Sequence, residues 1–256
     1  MQKSRELIFD FSKVYEIPWG GSENATLEEF QCEPFDFTLP KKDHVHLWLV
    51  DLEIFSYKKF YPILSKDEKG KLEKIIPTTE RELRSKSRIF LRLLLSLYVK
   101  VKPESIIFNY GEFGKPEINT SIQKIFFNVS HSEYYLSVLI DSENSIGIDI
   151  ETKYKTADIS IKLAKRFFSQ EEFRDLKVLK GHEQEFLFNQ LWTLKEAVLK
   201  SNGKGIHLIN KAPNFSNMRR IPKSGVLNYF QKENYSGFTV FIEGLWLSTA
   251  RFLESI

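Results

Sequence analysis

The stretch Ile146-Gly147-Ile148-Asp149-Ile150-Glu151 decides how the rest of the chain is read. Isoleucine recurs at every second position, the period of a strand with one face in a core. Ile146, Ile148 and Ile150 then point inward, and Gly147, Asp149 and Glu151 share the other face, with the bases of the two acidic side chains roughly 7 Å apart. Like charges so placed repel unless a cation lies between them. Hard oxygen donors of this kind suit magnesium, which takes one or two carboxylates and completes its shell with water and phosphate. The competing reading is the solvated face of an edge strand, which is the commoner case for any one such stretch.

Working outward from this strand, Tyr135 to Ile140 has a strand pattern, and Asp141-Ser142-Glu143-Asn144 has turn chemistry, so the spacing predicts a hairpin with residues 146–151. Further strands are expected over Ile125 to Val129 and Ser105 to Phe108, on either side of the turn-rich Gly111 to Pro116. Val45 to Val50 reads as the first strand. A Lys-rich helix begins near Ser65 and breaks near Pro77. The next helix, capped by Thr78 or Thr79, runs through Arg88 to about Val101.

On the C-terminal side, Ser169-Gln170-Glu171-Glu172 has the capping-box pattern of a helix start. A long helix spans about His182 to Asn202 and stops at Gly203. Strand patterns return at Val226 to Phe230, Phe238 to Ile242 and Leu245 to Ala250. Strands, helices and strands thus occur twice. The expected architecture is α+β, with an irregular N-terminal extension over residues 1–40 and two halves over 41–145 and 146–256.

Charge and cysteine content narrow the function classes. Lys and Arg number 37 against 34 Asp and Glu, a net charge of +3. A general nucleic-acid binder usually carries a larger excess, so no nucleic-acid partner is expected and an anionic ligand must be met by a local cluster. Cys32 is the single cysteine, which rules out an intrachain disulfide and fits a reducing compartment. The apolar run at Leu7 to Phe11 is too short for a signal peptide. Ile89 to Val99, interrupted by Arg92, falls short of a membrane span. A cytoplasmic protein with no membrane partner is expected.

Two more segments carry chemistry. In Trp192-Thr193-Leu194-Lys195-Glu196-Ala197-Val198-Leu199-Lys200, the residues Leu187, Leu191, Leu194 and Val198 form one helical stripe. Asn189, Thr193, Glu196 and Lys200 lie opposite, with Glu196 and Lys200 four apart and adjacent. The ordinary reading is a solvated ion pair. The sharper one makes Glu196 a third acid facing Asp149 and Glu151, with Lys200 ready to neutralise a phosphate. Phe127-Asn128-Val129-Ser130-His131-Ser132 is a strand ending in small polar residues and a histidine, able to donate to a phosphate or to form a turn. A serine-hydrolase reading fails, because neighbouring Ser and His rarely meet productively and no nucleophile-elbow glycine pattern is present.

Taken in order, these segments resemble the Sfp-type 4′-phosphopantetheinyl transferases. The chain carries Gly114-Lys115-Pro116, Asn128-Val129-Ser130-His131-Ser132, Gly147 to Glu151, Arg166-Phe167-Phe168-Ser169, Trp192 to Lys200 and Gly203-Lys204-Gly205. The likeness covers roughly residues 45–250. It implies two similar α/β subdomains related by a pseudo-twofold axis, with the active site between them. It further implies that Asp149, Glu151 and Glu196 hold Mg2+ with the pyrophosphate of coenzyme A, and that Glu196 is the general base. Lys200 would pair with the phosphate being transferred, while Ser130, His131 and Lys115 would contact phosphates. Arg88 matches the arginine that meets the 3′-phosphate, and Lys69, Lys71 and Lys74 are candidates for further phosphate contacts from the preceding helix. The implied partners are coenzyme A and an apo carrier protein (acyl, peptidyl or aryl), docking around Phe167 to Leu179 on a monomeric enzyme.

Two rivals stand beside this reading. Three acids, a lysine and a histidine would also serve a metal-dependent phosphodiesterase or nuclease. A nucleotide-binding scaffold that kept the fold is the non-enzymatic alternative.

Overall fold

A computed structural model describes residues 12–22, 24–33, 35–118, 124–152, 157–203, 205–218 and 223–253, without the side chains of residues 157, 206, 207 and 217. The chain is mixed α+β. Strands β1 (Ser12–Pro18), β2 (His44–Asp51), β5 (Phe126–Ser132) and β6 (Tyr135–Asp141) form one antiparallel sheet in the order β1-β2-β6-β5. Strands β7 (Ile146–Glu151), β8 (Asn228–Lys232), β9 (Tyr235–Ile242) and β10 (Leu245–Phe252) form a second, ordered β7-β10-β9-β8. A short pair, β3 (Phe108–Tyr110) and β4 (Pro116–Ile118), stands apart.

The helices are α1 (Lys66–Glu73), α2 (Thr78–Val99), α3 (Ala157–Phe167), α4 (Gln170–Lys177) and α5 (His182–Ser201). Four layers result from the patterning. Apolar residues of α2, such as Phe90 and Leu94, pack with Trp48 and Val138 on the outer face of the first sheet. The inner faces of the two sheets meet through Leu47 and Leu139 against Ile148, Val240 and Leu247. Leu187, Trp192 and Leu194 of α5 join Ala164 of α3 and Ala250 of β10 in a third cluster. In both halves a strand leads into helices, and the last strand returns beside the first: β6 pairs β2, and β10 pairs β7.

Three sequence expectations are corrected. Residues 12–18 are an edge strand where irregular chain was expected, running from Ser12 opposite Val50 to Pro18 opposite His44, so Val45 to Val50 belongs to the second strand. Val14, Tyr15 and Ile17 are buried there, and Pro18 sits at the strand end where a missing donor costs little. Residues 103–105 form a 3-10 turn, and the strand expected from Ser105 starts only at Phe108. Most consequentially, β6 and β7 form no hairpin: they lie in different sheets. The Asp141 carboxylate accepts from the amides of Glu143 and Asn144 and from Trp19 Nε1, turning the chain out of the first sheet instead of back along it.

Two expected helix starts are present. Ser169 caps α4 with Glu172 in the reciprocal box. The helix expected from about Ser65 is α1, and Ser65 caps it with Glu68. α2 begins at Thr78, with Pro77 in place of Thr78 or Thr79 at the cap position. Among the described residues no helix is long and apolar enough to cross a membrane.

Candidate active site

The strand β5 runs along the edge of the first sheet with alternate residues on opposite faces. Phe127, Val129 and His131 face α2, and Asn128, Ser130 and Ser132 face β7. Asn128 Oδ1 accepts from the Ile148 amide at 2.9 Å, Ser130 Oγ from the Ile150 amide at 3.3 Å, and Ser132 Oγ from the Thr152 amide at 3.1 Å. Successive strand amides point to opposite edges, so these are the donors that β10 leaves unpaired. Left buried without partners, each would cost about 1–3 kcal/mol. The Asn-x-Ser-x-Ser pattern thus joins the two sheets by a ladder of side chains onto backbone.

Asp149 is 4% exposed, so its face of β7 is covered by α5 and is not the solvated edge considered above. Gly147 makes this approach possible: a Cβ there would overlap the Ala197 carbonyl oxygen and the Ser201 amide nitrogen of α5. α5 itself is buried on both sides. Thr193, expected on a polar face, is fully buried and exchanges a 2.7 Å hydrogen bond with Ser248 of β10.

That close packing brings Lys200 onto Asp149. Lys200 Nζ donates to Asp149 Oδ1 at 2.6 Å and to Ser130 Oγ at 3.2 Å, and lies 4.0 Å from Glu196 Oε2. Ser130 Oγ also donates to Asp149 Oδ1 at 2.9 Å. Burial works against the charge on Lys200, but the carboxylates of Asp149, Glu196 and Glu151 outweigh it and raise its pKa above the usual lysine value. The sequence-expected acids and lysine therefore share one site at the junction of β7, α5 and β5. The simple solvated Glu196–Lys200 pair is overturned, since the shorter partner of Lys200 is Asp149.

The donor set fits a hard divalent cation. Asp149 Oδ2 is buried without a hydrogen-bond partner, an orphaned oxygen of the kind a cation satisfies. Among the described residues no three His, Cys, Asp or Glu side chains converge tightly enough to enclose a metal alone. Mg2+ ordinarily takes one or two carboxylates and completes its shell with water and substrate phosphate.

On the other face of β5 lies a cavity of about 550 Å3, lined by Lys71, Arg84, Arg88, Tyr110, Val129 and His131, among others. Arg88 stacks over Phe108 at 4.9 Å and reaches Glu68 at 3.6 Å, yet its Nη1 is buried with no partner. Glu68 is already held by Arg92 at 2.9 Å, which leaves Arg88 with charge to share. Lys71 pairs with Asp67 at 2.8 Å on the cavity rim. Arg84, which sequence reasoning missed, donates to Glu80 at 2.6 Å and meets His131 Nε2 through Nη1. The signal for it was its i, i+4 spacing from Arg88, which places both on one helical face.

His131 is open to solvent at the cavity mouth. Desolvation of its ring and the charges of Arg84 and Lys200 lower its pKa. The neutral ring then accepts from Arg84 at Nε2 and keeps its proton on Nδ1.

Other expected contacts are placed differently. Lys115 Nζ donates to Ser145 Oγ at 3.0 Å, the Ile146 carbonyl at 2.9 Å and the Ser201 carbonyl at 3.2 Å, beside a smaller cavity of about 250 Å3. It ties the start of β7 to the end of α5. Burial lowers its pKa to about 8, with Glu117 opposing. Ser130 is 6% exposed and saturated within the protein. Lys74 is exposed and absent from the large cavity's lining, and Lys69 turns to the Pro62 carbonyl. Lys204 of the Gly-Lys-Gly segment lies outside the described residues.

The chain is similar in sequence to known proteins. The family profile described as the 4′-phosphopantetheinyl transferase superfamily matches residues 145–248. A provisionally named 4′-phosphopantetheinyl transferase of Synechocystis is 32% identical over 190 residues, covering 72% of this chain and 77% of that protein. The 4′-phosphopantetheinyl transferase HetI of Nostoc is 33% identical over 168 residues, 64% of this chain and 70% of HetI. The 4′-phosphopantetheinyl transferase Sfp of Bacillus subtilis is 33% identical over 151 residues, 59% of this chain and 65% of Sfp.

Proposed function

The chain belongs to the 4′-phosphopantetheinyl transferase superfamily, and from that membership we propose that it moves the 4′-phosphopantetheine group of coenzyme A onto a serine of an apo carrier protein. The observation that carries this reading is the meeting of Lys200 with Asp149 and Glu196 beside a cavity holding Arg84 and Arg88. One side offers a metal-binding set, and the other offers cations for a nucleotide's phosphates.

In the reaction, the carrier serine oxygen attacks the phosphorus that bears the pantetheine arm. The phosphoanhydride bond breaks, and adenosine 3′,5′-bisphosphate leaves with the bond's electrons. Glu196 takes the serine proton. Lys200 shifts from Asp149 toward the transferring phosphate, where its charge stabilises the extra negative charge of the transition state. Arg88 binds the 3′-phosphate through the guanidinium edge that has no partner within the chain. His131 and Arg84 bracket the phosphates at the cavity mouth, and Lys71 adds charge at the rim. Asp149, Glu151 and Glu196 would hold Mg2+, which would supply positive charge to offset that of the pyrophosphate.

The two halves, 41–145 and 146–256, are read as subdomains related by a pseudo-twofold axis, on the strength of their shared strand–helix–returning-strand order. Residues 12–18 extend the first sheet. One site between the halves makes a monomer sufficient. The free thiol of Cys32 suits the cytoplasm.

The carrier is assigned to the surface of α3 and α4. Lys162, Lys165, Arg166, Arg174 and Lys177 are exposed there beside Val178, 73% exposed, an arrangement that suits an acidic helical partner.

The test is to incubate the protein with coenzyme A, Mg2+ and an apo carrier, and to follow release of adenosine 3′,5′-bisphosphate with and without chelator. Release that needs both carrier and metal supports the proposal. Release without carrier contradicts it.

A further inference from the structure

The side-chain ladder between β5 and β7 brackets both acids of β7. The amides of Ile148 and Ile150 flank Asp149, and those of Ile150 and Thr152 flank Glu151. All three amides are held by side chains of β5. Asn128 and Ser130 are 4% and 6% exposed. Ser132 Oγ additionally lies 2.9 Å from Thr152 Oγ1. The opposite face of the same strand presents Val129 and His131 to the cavity that holds Arg84 and Arg88.

A backbone ladder would fuse the sheets into one and fix their twist together. Inserting a side chain at each rung keeps two sheets while still fastening β7 at every residue next to an acid. We propose that Asn128 and Ser132 are positioning residues. Without touching substrate, they set Asp149 and Glu151 at a fixed register against the phosphate-binding face of β5. The inference rests on the transferase and metal reading above, and it assigns that site's alignment to two residues that carry no charge. Outer partners of metal ligands commonly act this way: losing one lowers metal affinity by about 10–100-fold.

The experiment measures binding of Mn2+, as a spectroscopic stand-in for Mg2+, in the presence of coenzyme A. Binding of adenosine 3′,5′-bisphosphate without metal is measured on the same samples. Ser132→Ala is the first variant, because Ser132 is only half-buried and its loss is tolerable for folding. Ser132→Thr restores the hydroxyl, and Asn128→Leu removes the rung at the far end. Ser132→Ala and Asn128→Leu are expected to weaken Mn2+ binding by about tenfold or more. The nucleotide should bind within about twofold of wild type, and Ser132→Thr should recover most of the Mn2+ affinity. Unchanged Mn2+ affinity in Ser132→Ala overturns the proposal, as does a parallel loss of both ligands, which marks general loosening. A wild type that binds no Mn2+ and transfers nothing defeats the underlying reading as well.

Discussion

Lys200 Nζ lies 2.6 Å from Asp149 Oδ1, closer than to Glu196, its neighbour one turn back on the same helix. The ammonium thus holds a buried acid that would otherwise be uncompensated. Its side chain is 30% exposed, so the pair falls between the surface limit of about 0–1 kcal/mol and the buried limit of about 3–5. Lys200→Met should lower stability by about 1–3 kcal/mol in denaturant titration. It should also lower the transfer rate by about a hundredfold or more. A variant with full activity would remove Lys200 from the chemistry.

Gly147 sets how near α5 comes to β7. Gly147→Ala forces a Cβ into backbone atoms of α5, which cannot swing aside as a side chain can. The expected loss is roughly 3 kcal/mol, the upper part of the range for overpacking. Thermal unfolding reads it. Gly203→Ala also loses stability through its positive φ of 69°, yet meets no atoms within 4 Å, so the smaller effect is predicted there.

Lys195 and Glu172 form an ion pair at 3.0 Å, with side chains 1% and 0% exposed. Glu172 also closes the α4 capping box and accepts from the Phe215 amide at 2.8 Å. Lys195→Met should therefore cost about 3–5 kcal/mol. The double variant Lys195→Met/Glu172→Met should recover only part of this, because the cap and the Phe215 amide stay unsatisfied. Chemical denaturation of the three variants checks the order.

Acid should destabilise the first half through His46. Trp48 Nε1 donates to the Tyr98 hydroxyl, which leaves Tyr98 to donate to His46 Nδ1 and keeps the imidazole neutral. Burial lowers the His46 pKa from 6.5 to about 4, with Glu16 opposing. The unfolded chain takes up its proton first as pH falls below 6.5, so stability drops between pH 6.5 and about 4 and then levels off. The expected size is about 3 kcal/mol. His46→Gln should flatten that slope in pH-dependent unfolding.

Arg84 and Arg88 separate two kinds of phosphate contact. Arg88→Gln should weaken coenzyme A about tenfold, from loss of a charge-assisted hydrogen bond, and should barely affect coenzyme A lacking its 3′-phosphate. Arg84→Gln should weaken both similarly and raise the His131 pKa by removing a neighbouring cation. Calorimetry with the two nucleotides and NMR titration of the ring distinguish them.

Much of the site could be read from the sequence because its elements are periodic. The alternation in residues 146–151 correctly put the isoleucines in a core, and residues 182–202 announced a helix. The pairing of β7 could not be read, since its neighbour β10 lies about a hundred residues further on and local turn chemistry at Asp141 pointed to β6. Tyr15 beside Val14 hid the alternation of β1. The role of Asn128 was invisible for a similar reason: its partner is a backbone amide, which any residue supplies. Lys115 and Ser130 were legible as important positions, while the bond of Lys115 to the Ser201 carbonyl arises from the packing of α5 on β7, and that of Ser130 to Asp149 from the packing of β5 against β7.

The most direct measurement is the intact mass of an apo carrier protein after incubation with this enzyme, coenzyme A and Mg2+, alongside the same carrier with its acceptor serine changed to alanine. A gain of one phosphopantetheine is expected on the serine carrier, none on the alanine carrier, and none on either with Glu196→Gln. An unchanged serine carrier across a panel of acyl, peptidyl and aryl carriers, from an enzyme that binds coenzyme A, would contradict the proposed transfer.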